Sequence, residues 1–203
     1  MGRDDRVRTV CVLVSAALLM AAARSWRTSS FGDFIFKEAL LYLLVPLAIS
    51  FGLSFSMRDI GYGWGDRATA LRYMTLLFAV AIPFMVVGSR MEAFRAYYPR
   101  FAYDSWVAFA RWELRIGLLM LATEAFFRGF LMLGTRPTLG RWAILLQALP
   151  YTYIHIGKPV LEVYYSFFAG IAFGYVDYES RSIMPSFLLH WGTSILFDIM
   201  CLL

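Results

Sequence analysis

Stretches of about 20 apolar residues recur along the chain, and they limit its fold more than any other feature. A helix of about 20 residues crosses the hydrocarbon core of a bilayer, where backbone N–H and C=O groups must be paired within the segment. Seven segments approach this measure, at about 9–23, 31–53, 68–88, 105–134, 141–156, 159–178 and 183–203. Composition agrees, since 60% of the 203 residues are hydrophobic and 16% are charged, whereas soluble domains carry about 25% charged residues. A soluble globule of this size cannot hide so much apolar surface. The same figures exclude a disordered chain, a collagen and a disulfide-rich secreted scaffold. The expected fold is all-α: a multi-pass, polytopic membrane protein with about seven transmembrane helices, forming a single membrane domain over 1–203.

The connections fit that layout. The formal net charge is +5, and the arginines fall mostly between apolar runs, where they suit anionic lipid headgroups rather than nucleic acid. The first segment, with its basic start and Ala21-Ala22-Ala23 close, also fits a signal peptide; the reading taken is a retained membrane helix. Between Ser54 and Arg67, three glycines (Gly61, Gly63 and Gly65) break any helix. Between Arg90 and Asp104, Tyr97-Tyr98-Pro99-Arg100 marks an interfacial stretch. Cys11 and Cys201 lie in apolar runs at opposite ends of the chain and read as packing residues. Pro46, Pro83 and Pro150 are expected kinks, Pro150 in the helix that delivers His155. Glu113 and Arg115 are expected to face water or headgroups.

Ionisable residues inside spans are costly and are functional hypotheses by default. Here they cluster in the last four segments. Glu124 and Arg128 are four apart on one helix and share a face. The chain has two histidines, His155 and His190, and both fall within apolar segments. Ser194 follows His190 by one turn, and Asp198 by two. An ion pair beside two histidines predicts a polar intramembrane site rather than a structural pin.

These motifs resemble a family. Glu124-x-x-x-Arg128 on one helix, an aromatic-x-x-x-His ending at His155 on the next, and His190-x-x-x-Ser194 on the last are similar to the CPBP family. Its members are the intramembrane proteases related to type II CAAX prenyl endopeptidases, also called the Abi family. Glu124–Leu131, His155-Ile156-Gly157-Lys158-Pro159 and Arg181-Ser182-Ile183-Met184-Pro185 extend the likeness, which covers about 105–198. The family's first motif usually opens with two glutamates, where this chain has Thr123. Its last motif often ends in Asn, where this chain has Ser194.

The resemblance implies an intramembrane endopeptidase that hydrolyses a peptide bond of a membrane-associated protein or peptide. In the family the first glutamate helps activate water. Here Glu124 is expected to take that part, with Glu162 a second candidate across the Gly157-Lys158-Pro159 break. The chemistry agrees, because peptide cleavage needs a captive water, a base and donors for the developing oxyanion. His155 would position the water. His190 and Ser194 would donate to the oxyanion, and Arg128 would orient Glu124. No cofactor is expected; the competing account is a divalent metal such as zinc on two histidines and a glutamate. The alternative function is a non-catalytic relative that binds a peptide or lipid in an immunity or scaffold role. A small transporter fits the buried charges but lacks a repeated hydropathy pattern. The expected partners are membrane lipids and a membrane-associated substrate, with no nucleic acid, and the expected location is a bacterial-type inner (plasma) membrane.

Overall fold

The computed structural model describes residues 3–203, which form eight helices: α1 (Arg3–Ser25), α2 (Phe31–Gly52), α3 (Arg67–Gly88), α4 (Glu92–Arg95), α5 (Trp106–Leu139), α6 (Trp142–Tyr153), α7 (Val160–Ser180) and α8 (Met184–Leu202). Five of them, α1, α2, α3, α5 and α8, are long and apolar enough to cross a membrane. The chain is a multi-pass integral membrane protein. Of the seven expected spans, five meet that measure and two segments do not. Helix α6 has 12 residues, short of the length a crossing needs. Helix α7 has 21 residues but carries Glu162, Asp177 and Glu179.

Local chemistry sets the helix starts. Ser30 caps α2 by accepting the Asp33 N–H, and Ser105 caps α5 by accepting the Ala108 N–H. Asp66 caps α3, accepting the N–H groups of Ala68 and Thr69 at 3.0 and 3.2 Å. The Thr69 hydroxyl also donates to Asp66 and, as the largest cause, holds its carboxyl below the ordinary carboxylate range. Each cap satisfies donors that the first helical turn leaves open.

Helix α5 is the central element, and the segment Ala125–Leu133 is buried at every position. That segment is π-helical, with the wider i→i+5 pairing seen in the Gly134 N–H bond to the Gly129 carbonyl; π-bulges occur often at functional sites. Tyr42 of α2 stacks on Phe126 with ring centres 4.3 Å apart. Helix α1 packs on the far end of α5 through the fully buried Val12 and through Thr9, whose hydroxyl donates to that of Thr138.

Helices α6 and α7 form an antiparallel hairpin. A Cβ at Gly170 would meet Tyr151 and Ala148, and one at Gly174 would meet Gln147 at 2.6 Å, so glycine permits the close approach. Gln147 donates across the seam to the Gly170 carbonyl. The glycine-rich loop between α2 and α3 is not a loose connection. Gly61 (φ +81°) and Gly65 (φ +54°) take left-handed backbone that suits glycine. The Gly61 carbonyl accepts the Ile183 N–H, and the Gly63 carbonyl accepts the Ser182 hydroxyl. Asp66 N–H donates to the Ser180 carbonyl. The loop thereby clasps the turn that launches α8.

Helix α8 then lies along α5. Gly117 leaves room for the Trp191 indole, which donates to the Glu113 carbonyl at 2.8 Å. With Trp191 nested there, the preceding residue, His190, faces Glu124.

Candidate active site

Four helices deliver the polar groups. Glu124 and Arg128 of α5 are fully buried and pair at 3.2 Å between Arg128 Nε and Glu124 Oε2. The second carboxylate oxygen, Oε1, lies 2.6 Å from His190 Nδ1. Glu124 is therefore gripped from two sides by α5 and α8. The Arg128 guanidinium lies 3.9 Å above the Tyr151 ring and 5.7 Å from the Phe173 ring, and among the described residues its two terminal nitrogens find no hydrogen-bond acceptor.

His155 sits just beyond the end of α6, where its Nδ1 contacts the Tyr151 carbonyl at 2.8 Å. A carbonyl only accepts, so this contact places the proton on His155 Nδ1 and leaves Nε2 bare. The Glu124 carboxylate likewise accepts, so a proton sits on His190 Nδ1. Tyr151 stands between the two imidazoles, with ring centres 4.6 Å from His155 and 6.3 Å from His190. Phe173 of α7 flanks His190 at 5.8 Å. The site is thus a pair of imidazoles with fixed tautomers in an aromatic wall, backed by a buried ion pair.

The sequence-predicted residues separate into groups. Glu124, Arg128 and His190 are in direct contact, and His155 joins them through Tyr151. Ser194 is half-buried one turn after His190. Glu162 belongs to a different cluster: Tyr98 donates to both of its oxygens at 2.8 Å, and Lys158 pairs with it at 2.7 Å. Burial, more than the nearby Glu162 charge, pushes the Tyr98 phenol up from its ordinary range, so it remains a donor. Thr123 is buried and its hydroxyl donates back to the Leu119 carbonyl at 2.9 Å.

One expectation is corrected. Glu113 does not face water or headgroups: it is 4% exposed and meets the buried Asp198 of α8. The Glu113 side chain lies on the face of α5 that packs against α8, whose Trp191 indole donates to the Glu113 carbonyl. Arg115 is exposed, with its guanidinium over Trp112. Sequence reasoning also missed Asp177 and Ser186, both fully buried beside the Glu124 group. Asp177 lies in Tyr175-Val176-Asp177-Tyr178-Glu179, which reads as the polar end of a span; an acid flanked by apolar residues was the available signal.

The residues do not assemble a metal site. Among the described residues no three His, Cys, Asp or Glu side chains are grouped to hold an ion. Both Glu124 oxygens are already engaged, by Arg128 and by His190.

The family model for Rce1-like type II CAAX prenyl endopeptidases matches residues 73–196, well over half of the chain. The chain belongs to that family. Family membership makes it a relative of intramembrane proteases, and the match contains Glu124, Arg128, His155, His190 and Ser194. The α2–α3 loop that clasps the start of α8 lies outside it. No curated protein and no solved structure matches the chain.

Proposed function

We propose that the protein is an intramembrane endopeptidase acting on a membrane-associated protein or peptide, with His190 as the base and Glu124 behind it. The carrying observation is the 2.6 Å contact between His190 Nδ1 and Glu124 Oε1. A buried carboxylate on Nδ1 fixes the tautomer, aims Nε2 outward and stabilises the imidazolium that forms when Nε2 takes a proton. His155, its Nδ1 held by the Tyr151 carbonyl, offers a second bare Nε2 to position the attacking water. His190 Nε2 removes the water's proton as its oxygen bonds to the scissile carbonyl carbon. The same proton then passes to the departing amide nitrogen as the C–N bond breaks. The Ser194 hydroxyl, one turn along α8, donates to the oxyanion. Arg128 holds Glu124 as a carboxylate and does no chemistry itself.

A second reading has one observation in its favour. Thr123 stands where the family usually has a glutamate, and its hydroxyl is spent on its own helix. A non-catalytic relative would use the same aromatic and imidazole wall to bind a peptide.

The test compares cells expressing wild type or His190→Ala. Shortened forms of particular membrane proteins should accumulate with wild type, and their intact forms should co-purify with the variant. Intact partners captured equally by both proteins, with no shortened forms, would establish the binding reading.

A further inference from the structure

Helices α3, α6 and α7 enclose a groove of about 460 Å³ that takes no part in the site described above. Helix α7 packs against both of its neighbours and forms the floor through Ile171 and Ala172. The groove is the seam between Leu76 and Leu77 of α3 on one side and Ile144 and Leu145 of α6 on the other. Leu76 and Leu145 remain exposed at its lip, so in a bilayer it opens onto acyl chains. Glu124, His155 and His190 line no part of it.

One end of the groove is polar. Arg141 lines it there, with a side chain 74% exposed that pairs with Glu179 at 3.1 Å. Such an arginine covers apolar wall with its stem and keeps its head in water. The Tyr73 and Tyr175 hydroxyls meet at 3.4 Å across the same end, joining α3 to α7. Exposed Arg72 holds its guanidinium 6.0 Å from the Tyr73 ring centre. Two cations and one carboxylate leave this rim net positive by one. The rim also lies where the helices end: Arg141 directly precedes α6, Glu179 is in the last turn of α7, and Arg72 is in the second turn of α3. The end of a spanning helix meets the headgroups, a depth that tyrosine and arginine favour.

We propose that this groove binds an anionic phospholipid, with part of one acyl chain in the seam and the phosphate between Arg72 and Arg141. Charge selects the occupant. An apolar seam alone accepts any chain, whereas a positive rim with two phenol donors favours a headgroup of net negative charge. The bound chain fills the space between α3 and α6, so lipid binding and the packing of α3 are linked. A ligand that binds only the folded form raises its stability with concentration. The inference is independent of the proposed chemistry.

The test uses the full-length protein in nonionic detergent and two probes with the same dioleoyl chains, anionic phosphatidylglycerol and zwitterionic phosphatidylcholine. Native mass spectrometry reads the lipid retained, and thermal unfolding reads its effect. One phosphatidylglycerol should be held about fivefold more tightly than phosphatidylcholine and should raise the melting temperature as its concentration rises. Arg72→Gln and Arg141→Gln should each weaken its retention about fivefold, the scale of one cation beside an anionic headgroup. Glu179→Gln should strengthen retention, because it removes the one acid at the rim. Ala172→Phe fills the groove and should abolish the specific retention. Leu76→Phe narrows the groove from the α3 wall and keeps the test open if Ala172→Phe does not fold. Leu18→Phe, on the exposed face of α1, is the control and should change nothing. Equal retention of the two lipids, or the same loss in Leu18→Phe as in the groove variants, overturns the inference and leaves the proposed function standing.

Discussion

His190 Nδ1 and Glu124 Oε1 meet at 2.6 Å across the α5–α8 interface, and Arg128 holds the other oxygen of the same carboxylate. One buried acid thus joins two helices and fixes the tautomer of a third group. Glu124→Gln keeps the shape and removes the charge. Cleavage should fall by about 10²–10⁴-fold, the range for loss of an effective general base. Stability should fall by about 3–5 kcal/mol, because the Arg128 cation loses its paired carboxylate. Cleavage of a membrane substrate and thermal unfolding in detergent check the two effects separately.

Arg128 carries a charge and also a flat guanidinium laid on Tyr151 at 3.9 Å. Arg128→Lys keeps the charge and loses the stacked fork. It should fold and retain part of the cleavage activity. Arg128→Met should lose about 3–5 kcal/mol of stability, since Glu124 would remain buried and charged without its cation. Complete loss of cleavage in a well-folded Arg128→Lys protein would mean that the guanidinium touches substrate.

Glu162 offers the control. Its carboxylate is occupied by Tyr98 and Lys158, and it holds the 91–101 segment against the start of α7. Glu162→Gln should leave cleavage nearly unchanged, and Tyr98→Phe should cost about 1 kcal/mol, one hydrogen bond's net worth. Faster amide exchange confined to the 91–101 segment would locate that loss. A rate reduced by 10²-fold or more in Glu162→Gln would move the base to Glu162.

The sequence carried the parts of this structure that follow from local periodicity. Glu124 and Arg128, four apart, share a face in any helix, and the apolar lengths marked α1, α2, α3, α5 and α8 directly. The shortness of α6 was not legible, because an apolar run of about 12 residues reads the same whether it crosses lipid or packs between other helices. Glu113 shows the same limit. Its position near a helix start suggests an interface, and only the packing of α8 on that face of α5 buries it. Asp177 and Ser186 escaped notice because their meaning is relational: they are nine residues apart on two helices joined by a turn, and the α2–α3 loop fixes that turn from a distance.

Glu113 and Asp198 face each other deep between α5 and α8, and among the described residues three of their four carboxyl oxygens are buried with no partner beyond the facing acid. Two buried acids at such a contact are costly to hold there. Asp198→Asn supplies an amide donor to Glu113 and removes one acid. It should raise stability by about 1–3 kcal/mol, the scale of satisfying a buried polar group, and leave cleavage unchanged. A lower melting temperature would mean that the pair is held by a partner such as Lys158, whose charge reaches Asp198.

Thr123→Glu tests whether the site is adapted or merely depleted. Thr123 is 7% exposed and its hydroxyl is satisfied by Leu119 of the same helix. A glutamate there would bring a third acid to a region that already holds Glu124 and Asp177, with Arg128 as the cation between them. Two of the Arg128 nitrogens lack acceptors among the described residues, so the added carboxylate has one place to pair, at the expense of the stacking on Tyr151. The base in the proposed chemistry is His190, already oriented and polarised, and a new carboxylate beside Glu124 adds no function it lacks. The expected outcome is a folded protein, less stable by about 1–3 kcal/mol for an imperfectly paired buried acid, that cleaves no faster than wild type. A gain of about tenfold or more would show that water activation at this site runs through position 123, and would make the natural chain the weaker, binding-biased form of its family. Measuring cleavage in Thr123→Glu and in Thr123→Gln together separates charge from bulk, because only the charged side chain can act as a base.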